Sequence, residues 1–130
     1  MEKRGNSLEL NKITGKIIES AMKVHTALGP GLLESAYEAC LAHELKKAGL
    51  SVQSQVGLPV VYDDVSVELG YRLDLLVEGT VIVELKAVEK ITPLHQAQLL
   101  SYLKLSGRKL GLLMNFNVVH LRDGIKRVIL

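Results

Sequence analysis

Tyr71-Arg72-Leu73-Asp74-Leu75-Leu76-Val77, followed after Glu78-Gly79-Thr80 by Val81-Ile82-Val83-Glu84-Leu85-Lys86-Ala87, is the stretch that decides the fold. Both arms are runs of β-branched and aliphatic residues, and Gly79 supplies a turn position that accepts positive φ, so the pair reads as a β-hairpin. A strand that is apolar on successive residues is covered on both faces, where an unpaired charge costs several kcal/mol. Asp74, Glu84 and Lys86 interrupt these arms and therefore need partners. Alternation puts Glu84 and Lys86 on one face of their strand, and the hairpin can bring Asp74 to the same face of its neighbour. Two carboxylates and a lysine on one patch form either a salt-bridge cluster or a divalent-metal site.

Upstream of the hairpin, residues 1–9 are polar and aperiodic and read as a loose arm. A first helix follows, with Asn11 as its cap and Ile13, Ile17, Ala21, Val24 and Leu28 forming one apolar stripe. Gly29-Pro30-Gly31 ends it, because Gly29 suits a left-handed C-terminal position and Pro30 cannot continue a helix. The second helix is expected from Leu32 to Ala48, with Leu33, Ala36, Tyr37, Cys40, Leu41 and Leu45 inward and Glu34 in its first turn, where the helix dipole favours a carboxylate. Tyr37 reads as a core residue and Cys40 as a buried thiol. Val52 to Tyr62 and Val65 to Val77 then read as strands turning at Asp63-Asp64, with Pro59 marking an edge or bulge. With Val81 to Val88 they make an antiparallel meander.

Downstream, Thr92 as N-cap and Pro93 at the first helical position open a helix that runs to Gly107, with Leu94, Ala97, Gln98, Ser101, Tyr102 and Leu105 along one side. His95, Gln98 and Tyr102 share that side at spacings of three and four. Lys109 to Phe116 is a buried strand, and a strand, helix, strand connection returns it parallel to the third strand. Val118 to Leu121 and Ile125 to Leu130, about the Asp123-Gly124 turn, read as a terminal hairpin.

The chain has 130 residues, 48% of them hydrophobic, enough for a single domain with a real core. It contains no run of about 18 apolar residues, and its N-terminus leads into no apolar signal segment, which reads as a cytoplasmic protein without a membrane role. A lone cysteine excludes an internal disulfide, a thiolate zinc cluster and a Cys-x-x-Cys redox pair. Net charge is only +2, but residues 31–88 hold four basic against nine acidic residues, and residues 89–130 hold seven against two. An acidic centre beside a basic C-terminal third fits a metal-bearing site next to a phosphate-attracting surface, but ordinary solvated faces are the better reading of this feature alone. No phosphate-binding glycine loop and no Gly-x-Ser-x-Gly nucleophile motif is present.

Asp74 followed ten residues later by Glu84-Leu85-Lys86, on the second and third strands of a meander flanked by helices, resembles the PD-(D/E)xK nuclease superfamily. Gly31-Leu32-Leu33-Glu34-Ser35-Ala36-Tyr37 is similar to the signature of its small GxxExxY family, and Gln98-Leu99-Leu100-Ser101-Tyr102 to the Gln-x-x-x-Tyr motif of its RecB-like nucleases. Leu73 stands where the superfamily's name has Pro. The resemblance implies an α/β, restriction-endonuclease-like αβββαβ core with a mixed β-sheet. It further implies that Asp74, Glu84, the backbone carbonyl of Leu85 and Glu34 would bind Mg²⁺ or Mn²⁺, hard cations that take oxygen ligands. Lys86 would orient or deprotonate the attacking water, Gln98 would contact the phosphate or Lys86, and Tyr102 would border the site; His95, read from its position rather than from the resemblance, shares their side of the helix and could touch substrate.

The implied activity is metal-dependent hydrolysis of phosphodiester bonds in nucleic acid, DNA above all. Two other readings differ in class. One is a non-catalytic module binding nucleic acid or a protein on the same fold, working as a homodimer or with a partner protein. The other is a structural homo-oligomer, which has no need of the motif residues. Affinity that falls steeply with salt separates phosphate contact from the rest.

Overall fold

A computed structural model describes residues 7–130. Helix α1 spans Ser7–Leu28, α2 Glu34–Lys47 and α3 Pro93–Ser106; the strands are β1 Val52–Gly57, β2 Val60–Tyr62, β3 Val65–Val67, β4 Arg72–Val77, β5 Val81–Lys86, β6 Leu110–Asn115 and β7 Ile125–Ile129. The main sheet has the order β1-β4-β5-β6-β7, and β5 and β6 are its parallel pair. This mixed sheet flanked by helices is the restriction-endonuclease-like arrangement expected from the sequence. The decisive hairpin forms as read, with Glu78 at φ +54 and Gly79 at φ +64 in its turn.

Helices α1 and α2 cover one face of the sheet. Ile13, Ile17, Ala21 and Val24 of α1 and Tyr37, Leu41, Ala42 and Leu45 of α2 pack on Leu75, Val77, Val81, Val83, Leu85, Leu112 and Met114. Helix α3 covers the other through Leu99, Tyr102 and Leu103, against Leu73, Leu76, Ile82 and Leu113. The strands between carry apolar residues on both sides because both sides are roofed. Helix α3 lies close to β6 where Gly111 has no side chain: a Cβ there would stand 2.9 Å from Leu99 Cδ1.

Several elements differ from their sequence expectation. The arm expected over residues 1–9 is helical from Ser7, since Glu9 suits a first turn and Leu10 packs on the core; residues 1–6 lie outside the described residues. Asn11 is thus not a cap but an interior residue, whose Oδ1 accepts from Arg127 Nη2 at 2.7 Å. Leu33 is the N-cap of α2 and is 77% exposed rather than inward. Cys40 is exposed, lining an open groove between α1 and α2 beside Val24, Ala27 and Leu28. The buried side of α3 is Leu99, Tyr102 and Leu103, so Leu94, Ala97 and Ser101 face out.

The two long strands expected on either side of Asp63-Asp64 are each broken. Leu58 N–H still donates to Tyr71 O, but Pro59 has no N–H to extend the ladder and Gly70 turns the chain at φ +79. Strands β2 and β3 consequently pair only with each other, about a turn with Asp63 at φ +52 and Asp64 at φ +64. The expected terminal hairpin is also replaced. Val118 O meets His25 Nε2 at 2.8 Å, Leu121 is buried under the helices, and a short 3-10 turn, Leu121–Gly124, leads into β7, which pairs with β6.

The α1–α2 connection is fastened by Tyr37. Its ring stacks on Phe116 at a centroid distance of 4.6 Å; its hydroxyl donates to Gly29 O at 2.6 Å and accepts from Leu32 N at 3.1 Å. Replacing Tyr37 by Phe keeps the stacking and strands both backbone groups. It should cost about 1–2 kcal/mol, lowering the melting temperature by roughly 4–8 °C. A thermal melt of Tyr37→Phe indistinguishable from wild type would show that the clamp contributes nothing.

Candidate active site

The site lies where β4 and β5 part. Their antiparallel pairing runs from Val77↔Val81 to Leu75↔Val83 and stops, whereas β5 stays paired with β6 as far as Lys86↔Asn115 and β4 with β1 as far as Arg72↔Gly57. Each strand is held by its outer neighbour, and the gap between them is spanned by side chains. Glu84 Oε2 accepts from the Asp74 N–H, and Asp74 Oδ2 accepts from the Leu85 N–H, each at 2.9 Å. Two carboxylates thus take the place of the next ladder bonds. Each keeps one oxygen, Asp74 Oδ1 and Glu84 Oε1, off the backbone.

The backbone adds a third acceptor. Phe116 N–H donates to Lys86 O, so the even-numbered residues of β5 turn their polar groups toward β6 and the odd-numbered ones toward β4. Leu85 confirms this alternation, since its N–H is the one taken by Asp74. Its C=O therefore also faces the fork.

Charge is out of balance here. Burial, then the neighbouring Asp74 carboxylate, push Glu84 from 4.5 up to about 8 against the pull of the backbone bond and Lys86. Asp74 is also raised, by burial, against its bond to Leu85 and the attraction of Lys86. Glu84 is only 5% exposed, yet among the described residues Lys86 makes no ion pair within 4 Å with either carboxylate. A closed salt-bridge cluster is therefore not what the structure contains. One lysine at a distance leaves two desolvated carboxylates under-compensated, a deficit that a cation on the oxygens of Asp74 and Glu84 would remove.

The fork takes in residues from both helical layers. Tyr102 of α3 is buried, its ring 6.2 Å from that of Tyr71; burial and the nearby Glu84 raise its phenol, which keeps it a neutral hydroxyl donor. Gln98 lies one turn earlier on α3 and is exposed. His95 is occupied in a capping box: its Nδ1 accepts from the Thr92 N–H at 3.0 Å, and its own N–H donates to Thr92 Oγ1.

From the other layer, the nearest carboxylate is one the sequence reading passed over. Glu38 of α2 accepts at both oxygens from Gln55 Nε2, at 2.9 and 3.1 Å, and the same nitrogen lies 3.5 Å from Asp74 Oδ1. Burial, partly offset by Gln55, and then the Asp74 charge raise Glu38. Glu34, at the start of α2, is exposed and reaches this group through its charge on Glu38. Among the described residues, no three His, Cys, Asp or Glu side chains gather closely enough to hold an ion by themselves. Glu38 was discoverable, being one helical turn beyond Glu34 on the same side. Gln55 was not, because its distinguishing feature is a backbone φ of +53 within a strand, which costs about 1–2 kcal/mol.

Among the described residues, no helix is long and apolar enough to cross a membrane. Neither a curated protein nor a solved structure matches the chain. A family model described as the PD-(D/E)XK nuclease superfamily does match, over residues 11–128, a span that contains the fork, the helices except for the first four residues of α1, and every strand except for the last residue of β7. With the acidic residues on the parting strands and the lysine two positions on, the chain belongs to the PD-(D/E)XK nuclease superfamily.

Proposed function

We propose that the protein is a metal-dependent nuclease of the GxxExxY family that hydrolyses phosphodiester bonds in nucleic acid, with DNA as its substrate. The observation that carries this reading is the fork itself: Asp74 and Glu84 tied to the backbone by one oxygen each, with the other oxygens and the Leu85 carbonyl left over. The donor set consists of hard oxygens in an environment that disfavours their own negative charge, which suits Mg²⁺ or Mn²⁺. When bound, such an ion supplies an activated water and neutralises charge developing on the scissile phosphate.

The chain's own residues divide the remaining work. Asp74 and Glu84 would hold the cation, and their backbone bonds fix both carboxylates before it arrives, so little rearrangement is needed. Lys86, free of an ion pair within 4 Å to either carboxylate, can direct its ammonium to the attacking water or a phosphate oxygen. Tyr102, as a neutral phenol at the edge of the fork, is assigned to packing against substrate and donating a hydrogen bond to it. Gln98, exposed one turn away, and Glu34, at the outer end of α2, are assigned to substrate and water contacts. His95 retains a substrate contact only through Nε2, since its Nδ1 serves the cap.

Two experiments test the reading. Labelled single-stranded, duplex, flap, junction and RNA substrates should be cut in Mn²⁺ or Mg²⁺, and Lys86→Ala should lower the rate by about 10²-fold or more. Equal cutting by both proteins would trace the activity to a contaminant, and silence from wild type across the panel would refute the proposal.

The second test uses stability. Glu84 binds its proton more tightly in the folded protein than in the unfolded chain, where its value is near 4.5, so the folded state holds the extra proton between that value and about 8. Without metal, stability should fall as pH rises through this window, by an amount on the order of a few kcal/mol, and Asp74 acts in the same direction. Mn²⁺ should flatten the dependence by favouring the ionised form, and Glu84→Gln should flatten it without metal. Melting temperatures between pH 5 and 9 that are flat in metal-free wild type would contradict the assigned charge deficit.

A further inference from the structure

We infer that Gln55 is a positioning residue of this site, holding Glu38 of α2 beside Asp74 of β4, an inference that rests on the nuclease reading. The register of β1 on β4 passes from Ser54↔Leu75 to Val56↔Leu73, and the residues between, Gln55 and Asp74, both leave the ladder. Asp74 does so at the fork. Gln55 does so by turning to φ +53, and Arg72 Nη1 approaches its carbonyl at 3.4 Å. The turned backbone carries Nε2 to 2.9 and 3.1 Å from the two oxygens of Glu38 and 3.5 Å from Asp74 Oδ1.

Folding stability does not account for this arrangement. Gln55 is exposed, so its hydrogen bonds compete with water and add little, while the left-handed backbone subtracts. What the arrangement achieves is geometric: two like-charged carboxylates from different layers, a helix and the sheet, are kept at one spacing. An amide suits the task better than a lysine would. It donates to both carboxylates yet leaves their charge intact for a cation, and its long contact with Asp74 Oδ1 leaves that oxygen exchangeable.

The test compares Gln55→Gly and Gln55→Asn with wild type, alone and combined with Glu38→Ala. Glycine accepts the left-handed backbone and removes the side chain; asparagine accepts it nearly as well but is one methylene too short to span the gap. Both variants should melt at or above the wild-type temperature. Both should weaken Mn²⁺ binding, measured by calorimetry without nucleic acid, by about tenfold or more, and at saturating Mn²⁺ lower kcat with KM for the oligonucleotide unchanged. In the Glu38→Ala background Gln55→Gly should have no further effect, because there is nothing left to hold. Wild-type Mn²⁺ affinity in either variant, or losses that simply add to those of Glu38→Ala, would overturn the inference while leaving the nuclease reading intact. Wild-type protein that neither binds Mn²⁺ nor cuts any substrate would overturn the nuclease reading itself, and the role of Gln55 with it.

Discussion

The exchange between Asp74 and Glu84, in which each carboxylate accepts a backbone N–H from the opposite strand, is the constraint on which the rest of the structure turns. A sheet that simply ended at Leu75↔Val83 would leave buried amides unpaired, at about 1–3 kcal/mol each. A sheet that continued pairing would leave no gap. The carboxylates resolve the conflict by serving the amides while keeping the strands apart, and the result is two desolvated acidic groups side by side, which the nuclease reading assigns to a cation. Everything around the fork keeps it from collapsing. Strand β6 holds β5 in register to Lys86, β1 holds β4 to Arg72, and helices on both faces bury the apolar residues on either side of the charged ones.

The second-helix signature divides between structure and chemistry in a way that motif reading does not reveal. Gly31, at φ +100, and Tyr37, bonded at both ends of the Gly29 to Leu32 turn, fix where α2 starts. Glu34 stands at that start, and the helix then brings Glu38, one turn on, against Gln55 and the edge of the fork. The tyrosine therefore acts on the site through the placement of a helix rather than through contact.

The parts of the fold that were legible in the sequence are those set by neighbours in the chain. Gly79 turns the hairpin, Thr92 and Pro93 open α3, and charges inside two apolar strands announce that the strands must part or pair around something. The parts that were not legible depend on what lies across the molecule. Apolar residues occur nearly all round α3, so only its partner decides which face is buried, and the partner is Gly111, whose missing side chain admits Leu99. Cys40 follows the apolar spacing of α2, but α1 beside it leaves an open groove rather than a closed contact. Pro59 and Gly70 are visible as interruptions; that they release a separate ribbon follows only from the sheet order.

Charge along the chain shows the same distinction between composition and placement. The acidic middle third does converge, with Glu38, Asp74 and Glu84 acting on one another. Part of the basic last third is taken up inside the fold, while Lys90, Lys104, Lys109, Arg122 and Lys126 are exposed. Arg127 is engaged with Asn11 and Thr14 of α1, and Arg108 with Gly79 O and Ser106 O, so two of its cations fasten the sheet to its surroundings. At the fork itself the carboxylates of Asp74 and Glu84 have Lys86 and Arg72 as the cationic side chains on the same two strands. On the nuclease reading, the ion that satisfies Asp74 and Glu84 also makes the field the substrate meets there more positive. Metal binding and substrate binding are then coupled through that one change of charge.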